Sequence, residues 1–245
     1  MKNVQKKSIE NESESTSRTI GTLKEKTLHA ALKDYLEPDV DKQEIKIGRY
    51  HVDILNEQGI IEVQTQNFNL LRNKLEKLLP DYTVTVVYPI THDKWLYWVD
   101  NETGEVSKKR KSPKRGTYYI AFFELYKIKM LLNNPNLRIK LMMINMEEFR
   151  LLNGWSENRK RGSSRHDRVP VEIVEELILQ DSRDYLKLIP NELDQTFTSK
   201  DYAKSSKLHI SQAQTALNVL HYVGAVDRVG KEGNAYVYCR NKSLI

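Results

Sequence analysis

A single cysteine, Cys239, occurs in 245 residues, so no disulfide can form within the chain and no cysteine-based zinc cluster can be built. No apolar run approaches the roughly 20 residues that a membrane span requires. Met1 to Ser17 lack the apolar core of a secretory signal, and a cytoplasmic protein without membrane contact is the expectation. Internal repeats are absent as well. What is present is the profile of a soluble globular chain, 39% hydrophobic and 29% charged, long enough for one large domain or two modest ones. Its net charge of +6 inclines it toward polyanionic partners.

Residues 1–20 are rich in Lys, Glu, Asn and Ser and read as a disordered polar tail. Thr22 to Leu36 carries Leu28, Ala31, Leu32 and Tyr35 at helical spacing, and Pro38 stops it. Strands are predicted at about 43–47, 50–55 and 60–65. An amphipathic helix follows over Phe68 to Leu79, then an unbroken β-rich run from Thr83 to Tyr88. The order is helix, three strands, helix, strand, an α/β pattern. Further strands are predicted at Trp95 to Val99 and Leu137 to Ile144, with a helix over Tyr118 to Leu132 between them. The boundary of this first domain, residues 21–152, falls near Asn153, and residues 153–168 read as a basic linker. From Pro170 the chain is expected to turn helical, with Pro at a first helical position. Helices at about 182–188, 200–206 and from Ser211 to Val223 precede a hairpin over Ala225 to Cys239. A capped helix pair and a β-hairpin describe a winged helix over residues 169–245.

The chemistry concentrates in one hairpin. Arg49 to Leu55 and Ile60 to Thr65 read as β-branched strands joined by a turn at Asn56-Glu57-Gln58-Gly59. Alternation puts Ile60, Glu62 and Gln64 on one face of the second strand, while Asp53 sits opposite Val52 and Ile54 on the first. An acid inside an apolar run is costly to bury alone, and a cation shared by Asp53 and Glu62 relieves that cost. The alternative is an ordinary solvated hairpin face.

These residues resemble the PD-(D/E)XK nuclease superfamily, the restriction-endonuclease-like fold, and within it the Holliday-junction-resolvase-type nucleases. The resemblance covers roughly residues 21–90: an N-terminal helix, a strand ending in Asp53, a turn, and the strand Ile61-Glu62-Val63. It implies Mg²⁺- or Mn²⁺-dependent hydrolysis of DNA phosphodiesters with Asp53 and Glu62 as metal ligands. Gln64 stands where that family usually has Lys; an amide there can still position the attacking water. Glu25 is the natural third acid, although Thr22-Leu23-Lys24-Glu25 also fits a capping box. His29 lies near enough in sequence to approach the site or to be a structural histidine. Gln66, starting the next helix, is either a phosphate contact or a helix cap.

Two basic runs accompany this hairpin. Lys108, Lys109, Arg110, Lys111, Lys114 and Arg115 form one, and Arg159, Lys160, Arg161, Arg165 and Arg168 the other. Beside a nuclease-like core and a winged helix they are expected to contact phosphates. Gln212, Thr215, Asn218 and Tyr222 lie on the outer side of the expected recognition helix, where Gln and Asn would read adenine edges. The leading expectation is a Mg²⁺-dependent DNA endonuclease targeted by a winged helix. Its rivals are an inactive nuclease-fold DNA-binding regulator and an assembly module whose winged helix docks a protein partner or a second copy.

Overall fold

The computed structural model describes residues 27–155 and 161–244. The sheet begins as a meander of β1 (Gln43–Ile47), β2 (Tyr50–Asn56) and β3 (Gly59–Val63), each antiparallel to the one before. The β2–β3 turn closes on Gly59, whose φ of 108° suits a residue without Cβ. A Cβ there would also stand 2.3 Å from the Thr83 carbonyl oxygen.

A parallel neighbour needs a crossover, and the stretch after β3 supplies it. A 3₁₀ turn at Phe68–Leu71 leads into α2 (Arg72–Leu78), and β4 (Val84–Asp100) returns parallel to β3. The short β5 (Arg110–Lys111) doubles back on β4. A second crossover through α3 (Phe122–Lys127) brings β6 (Leu137–Trp155) parallel to β4, and β7 (Arg161–Leu179) closes the edge antiparallel to β6. The strand order is β1-β2-β3-β4-β6-β7, with β5 on β4, a mixed seven-stranded sheet in an α/β fold.

Helices cover both faces. α1 (Thr27–Leu36) presses Leu28 and Leu32 onto Ile54, Ile61, Val63, Val87, Met142 and Ile144. Burying one such leucine contributes about 2 kcal/mol. The other face packs Ile60, Val84, Val86, Ile139, Leu141 and Met143 under Leu75 and Leu78 of α2 and Phe122 and Leu125 of α3. The apolar stripe predicted for residues 68–79 is this buried one.

α4 (Ser182–Tyr185), α5 (Ser199–Ser206) and α6 (Ile210–Tyr222) follow, and β8 (Thr196–Thr198), β10 (Ala235–Arg240) and β9 (Val226–Glu232) make a second sheet in the order β8-β10-β9. Thr198 caps α5 through a capping box with Asp201. α6 starts two residues earlier than expected, with His209 and not Ser211 at its cap. Ala216, Leu217 and Leu220 of α6 join the core that contains α3, so the apolar interior runs on from the large sheet into the C-terminal helices.

Three expectations are corrected. Trp95 to Val99 is no separate strand; β4 runs unbroken through it, with a bulge between Thr91 and Lys94. Pro89 inside β4 is tolerated because its nitrogen faces the side where β3 has already ended, Gln64 N–H to the Val87 carbonyl being the last bond there. Leu137 to Ile144 is likewise only the first half of β6. Finally, residues 161–168 are not linker and Pro170 starts no helix, since both lie in β7 paired to β6. Bulges in β7 between the partners of Met143 and Ile144, and of Asn145 and Met146, break its two-residue period. Val174, Leu177 and Ile178 then fall at helix-like intervals although the backbone is extended.

Gly59→Ala should destabilise the fold by about 2–4 kcal/mol, because the new methyl meets Thr83 and the φ is strained. Urea unfolding measures this, and a loss below about 0.5 kcal/mol would show that the turn can relax.

Candidate functional site

Ile54 pairs with Ile61, and one further step of that register sets Asp53 opposite Glu62. At this point β2 and β3 part. The Val63 N–H donates to Asp53 Oδ2 at 2.7 Å, a side chain accepting where the ladder ends. α1 brings His29 Nε2 to 3.3 Å from the same oxygen. From the opposite face α2 brings Lys74, whose Nζ donates to the His51 carbonyl and stands 2.5 Å from Glu62 Oε1. That last contact is an ion pair by distance, but its angles are not those of a hydrogen bond. The Lys74 ammonium is thus the partner of the buried Oε1.

The two carboxyls titrate apart. Burial, then the charge of Asp53, pushes the Glu62 carboxyl up to about 7, and Lys74 offsets this only in part. Burial works against Asp53 too, but the His29 contact, the Val63 N–H and Lys74 outweigh it and hold Asp53 below its ordinary value. Around neutral pH Asp53 is ionised while Glu62 exchanges a proton. Two adjacent acids with opposed shifts are the arrangement by which folds divide acid from base roles.

The remaining site expectations fare unevenly. Gln64 lies beside the pair, but its amide Nε2 donates to the Gln66 carbonyl. Glu25, Arg159 and Lys160 lie outside the described residues, as does the side chain of Arg161. The helix start after Gln66 offers no free anion site at Phe68, whose N–H donates to buried Glu124 at 2.7 Å. Lys74 was missed: in sequence nothing separates it from Arg72 or Lys77, and only the packing of α2 aims it at Glu62. Among the described residues no group of three or more His, Cys, Asp or Glu converges as a metal cluster.

The basic loop is partly committed to the protein itself. Lys109 binds Glu147 at 2.7 Å, and Lys111 and Arg115 bind Asp93 at 2.9 and 3.3 Å. Arg165 is exposed, opposite Arg150. On α6 the expected base-reading residues have other work. Gln212 accepts from the His209 N–H, Thr215 donates to the Ser211 carbonyl, and Asn218 accepts from Lys129 at 2.8 Å. Tyr222 lies under Lys129 as well. Asn218 and Tyr222 thus face α3 and its following turn, not open solvent, because α6 uses that side to join the core.

Because Glu62 titrates near 7 in the fold and near 4.5 unfolded, the folded chain keeps a proton that the unfolded chain releases between those values. Stability therefore falls as pH rises through that window. Glu62→Gln should be more stable than wild type by about 3 kcal/mol at pH 8, with the advantage vanishing below pH 4.5. Thermal unfolding across pH measures it; a Gln variant less stable at pH 8 would mean that Lys74 fully compensates the charge.

A curated relative, an uncharacterized protein of Treponema pallidum (strain Nichols), is 29% identical over 222 residues, covering 90% of this chain and 87% of that one. No solved structure matches the chain. A family model matches residues 26–180, from the start of α1 to one residue past β7, and so takes in the large sheet and the Asp53–Glu62 site. By that match the chain belongs to the family described as Domain of unknown function (DUF8091).

Proposed function

We propose that this chain is a metal-dependent nuclease built on a restriction-endonuclease-like core, with residues 182–240 as an accessory winged helix. The observation that carries the reading is the Asp53–Glu62 pair at the C-terminal end of β3, with Lys74 delivered to it from α2. The order α1, β1 to β3, α2, β4 supports it, as does the parallel pairing of β3 with β4.

The donor set suits Mg²⁺ or Mn²⁺. Two carboxylates meeting where the β2–β3 ladder ends match a cation that takes one or two protein carboxylates and keeps its waters, and it would share Glu62 with the Lys74 ammonium. Asp53 and Glu62 would hold it, and when bound it lowers the pKa of its water and neutralises charge on a phosphate. The other roles belong to the chain. Lys74, half-buried and beside Glu62, supplies the positive charge that Gln64 does not, close to where a phosphate oxygen gains charge. Gln64 has committed its amide hydrogen, which leaves its Oε1 to accept from the attacking water. His29 and the Val63 N–H orient the Asp53 carboxylate.

A second reading, a DNA-associated regulator on an inactive nuclease fold, is favoured by Gln64 closing on Gln66 and by the clasp on Asp53 Oδ2.

Plasmid, branched and single-stranded DNA incubated with Mg²⁺, Mn²⁺ or EDTA separates the readings. Asp53→Asn and Glu62→Gln should abolish cleavage and spare DNA binding, while Lys74→Ala should slow cleavage by about 10²-fold or more. Absence of metal-dependent product on every substrate would favour the regulator. Ligation also requires the ionised Glu62, so Mn²⁺ affinity should weaken as pH is lowered through about 7. Calorimetric titration at pH 6 and 8 reads this, and a pH-independent affinity would remove Glu62 from the ligand set.

A further inference from the structure

β3 ends level with Val87, yet β4 runs on to Asp100, flanked by β6 and the start of β7. α1 reaches this extension at Asp167, which accepts from the Thr27 hydroxyl, and beyond Met146 Val99 and Glu148 are its only fully buried members among the described residues. The extension rises from the same end of the sheet that holds Asp53 and Glu62. Residues 91–115, 145–155 and 161–168, which build it, contain 11 Lys or Arg against 7 Asp or Glu, a surplus of four in a chain of net charge +6. Most of the net charge therefore sits on this arm.

β5, clipped to the arm at Trp95 and Leu96, sorts its cations by strand alternation. Lys109 and Lys111 turn inward, over the Trp95 ring at 4.9 and 5.6 Å, and are neutralised by Glu147 and Asp93. Arg110 and Lys108 take the opposite alternation, and Lys114 follows Pro113. These three are exposed and have no ion-pair partner among the described residues. The inward set fastens the strand, and the outward set is presented to solvent.

We propose that Lys108, Arg110 and Lys114 form an outlying phosphate clamp for a nucleic-acid backbone whose other contact is the Asp53–Glu62 site. Val86, beside Glu62, and Leu96, beside Arg110, are ten residues apart with one bulge between them. The clamp thus stands roughly 30 Å from the carboxylates, about nine base pairs of duplex. A contiguous polyphosphate of that reach matches unpaired cations in a row better than an acidic protein surface does. The choice of nucleic acid rests on the nuclease reading, but clamp and cleavage are separable because binding is measured without metal.

Anisotropy titrations in EDTA use the full chain and 20-residue probes of duplex DNA, single-stranded DNA and duplex RNA, whose ranking identifies the source of the backbone. Replacing Lys108, Arg110 and Lys114 together by Ala should weaken the best probe at least tenfold. The slope of log affinity against log salt should flatten by about 2 to 3. Replacing Lys109, Lys111 and Arg115 instead should lower the melting temperature and flatten the slope by less than 1. An unchanged slope in the first variant, or equal flattening in both, overturns the clamp. So does a change of sedimentation coefficient in the first variant alone, which would assign the arm to pairing between copies. Absence of metal-dependent cleavage by the wild type, with the slope still flattened in the first variant, would sink the nuclease reading and leave the clamp standing.

Discussion

The hydrogen bond from the Val63 N–H to Asp53 Oδ2 is small in energy, about 1–2 kcal/mol for a bond to a charged acceptor, yet much of the site hangs on it. It acts where the β2–β3 ladder stops. Without it the two strands would splay with an unpaired backbone donor, and Asp53 would be free to swing toward solvent. With it, Asp53 stays ionised beside Glu62, and that fixed charge is one reason why Glu62 titrates so high. His29 and Lys74 then reach the pair from opposite faces of the sheet. A single side chain standing in for one rung of the ladder thereby couples both helical layers to one pair of acids.

That arrangement costs the fold stability. A carboxyl that is 4% exposed and pushed up to about 7 is held where its charged form is disfavoured. Lys74, a residue with a long flexible stem, is ordered to meet it. Nothing in core packing demands either choice, since an apolar residue at position 62 would complete the run Ile60 to Val63. Stability given up at a cluster of polar groups is the usual mark of a site kept for function. β5 shows the opposite economy, with inward Lys109 and Lys111 matched to Glu147 and Asp93 and outward Arg110 left unmatched among the described residues.

Much of the first half was legible because local rules and packing agree there. Leu28 and Leu32, the stripe from Phe68 to Leu79, and the hairpin with Gly59 at its turn all occupy their expected places. The misreadings have common physical causes. β7 reads as linker and helix in the sequence because its bulges scramble the two-residue period. The pattern of α6 predicts Asn218 and Tyr222 on the outer side, since an amphipathic helix does not say how wide its buried stripe will be. Lys74 left no mark at all.

By itself the sequence determined the order of helices and strands up to β4, the register that sets Asp53 against Glu62, and the excess of positive charge. Each of these is local: it follows from spacing, turn chemistry or composition over a few residues. The tertiary structure alone decided which cations are spent on acids and which remain, which lysine meets Glu62, and that the core continues from the large sheet into α6. Those outcomes depend on contacts between residues distant in the chain, such as Lys74 with Glu62, Lys109 with Glu147 and Lys129 with Asn218. Periodicity cannot encode such pairings, because it reports which face a side chain takes and not what that face will meet.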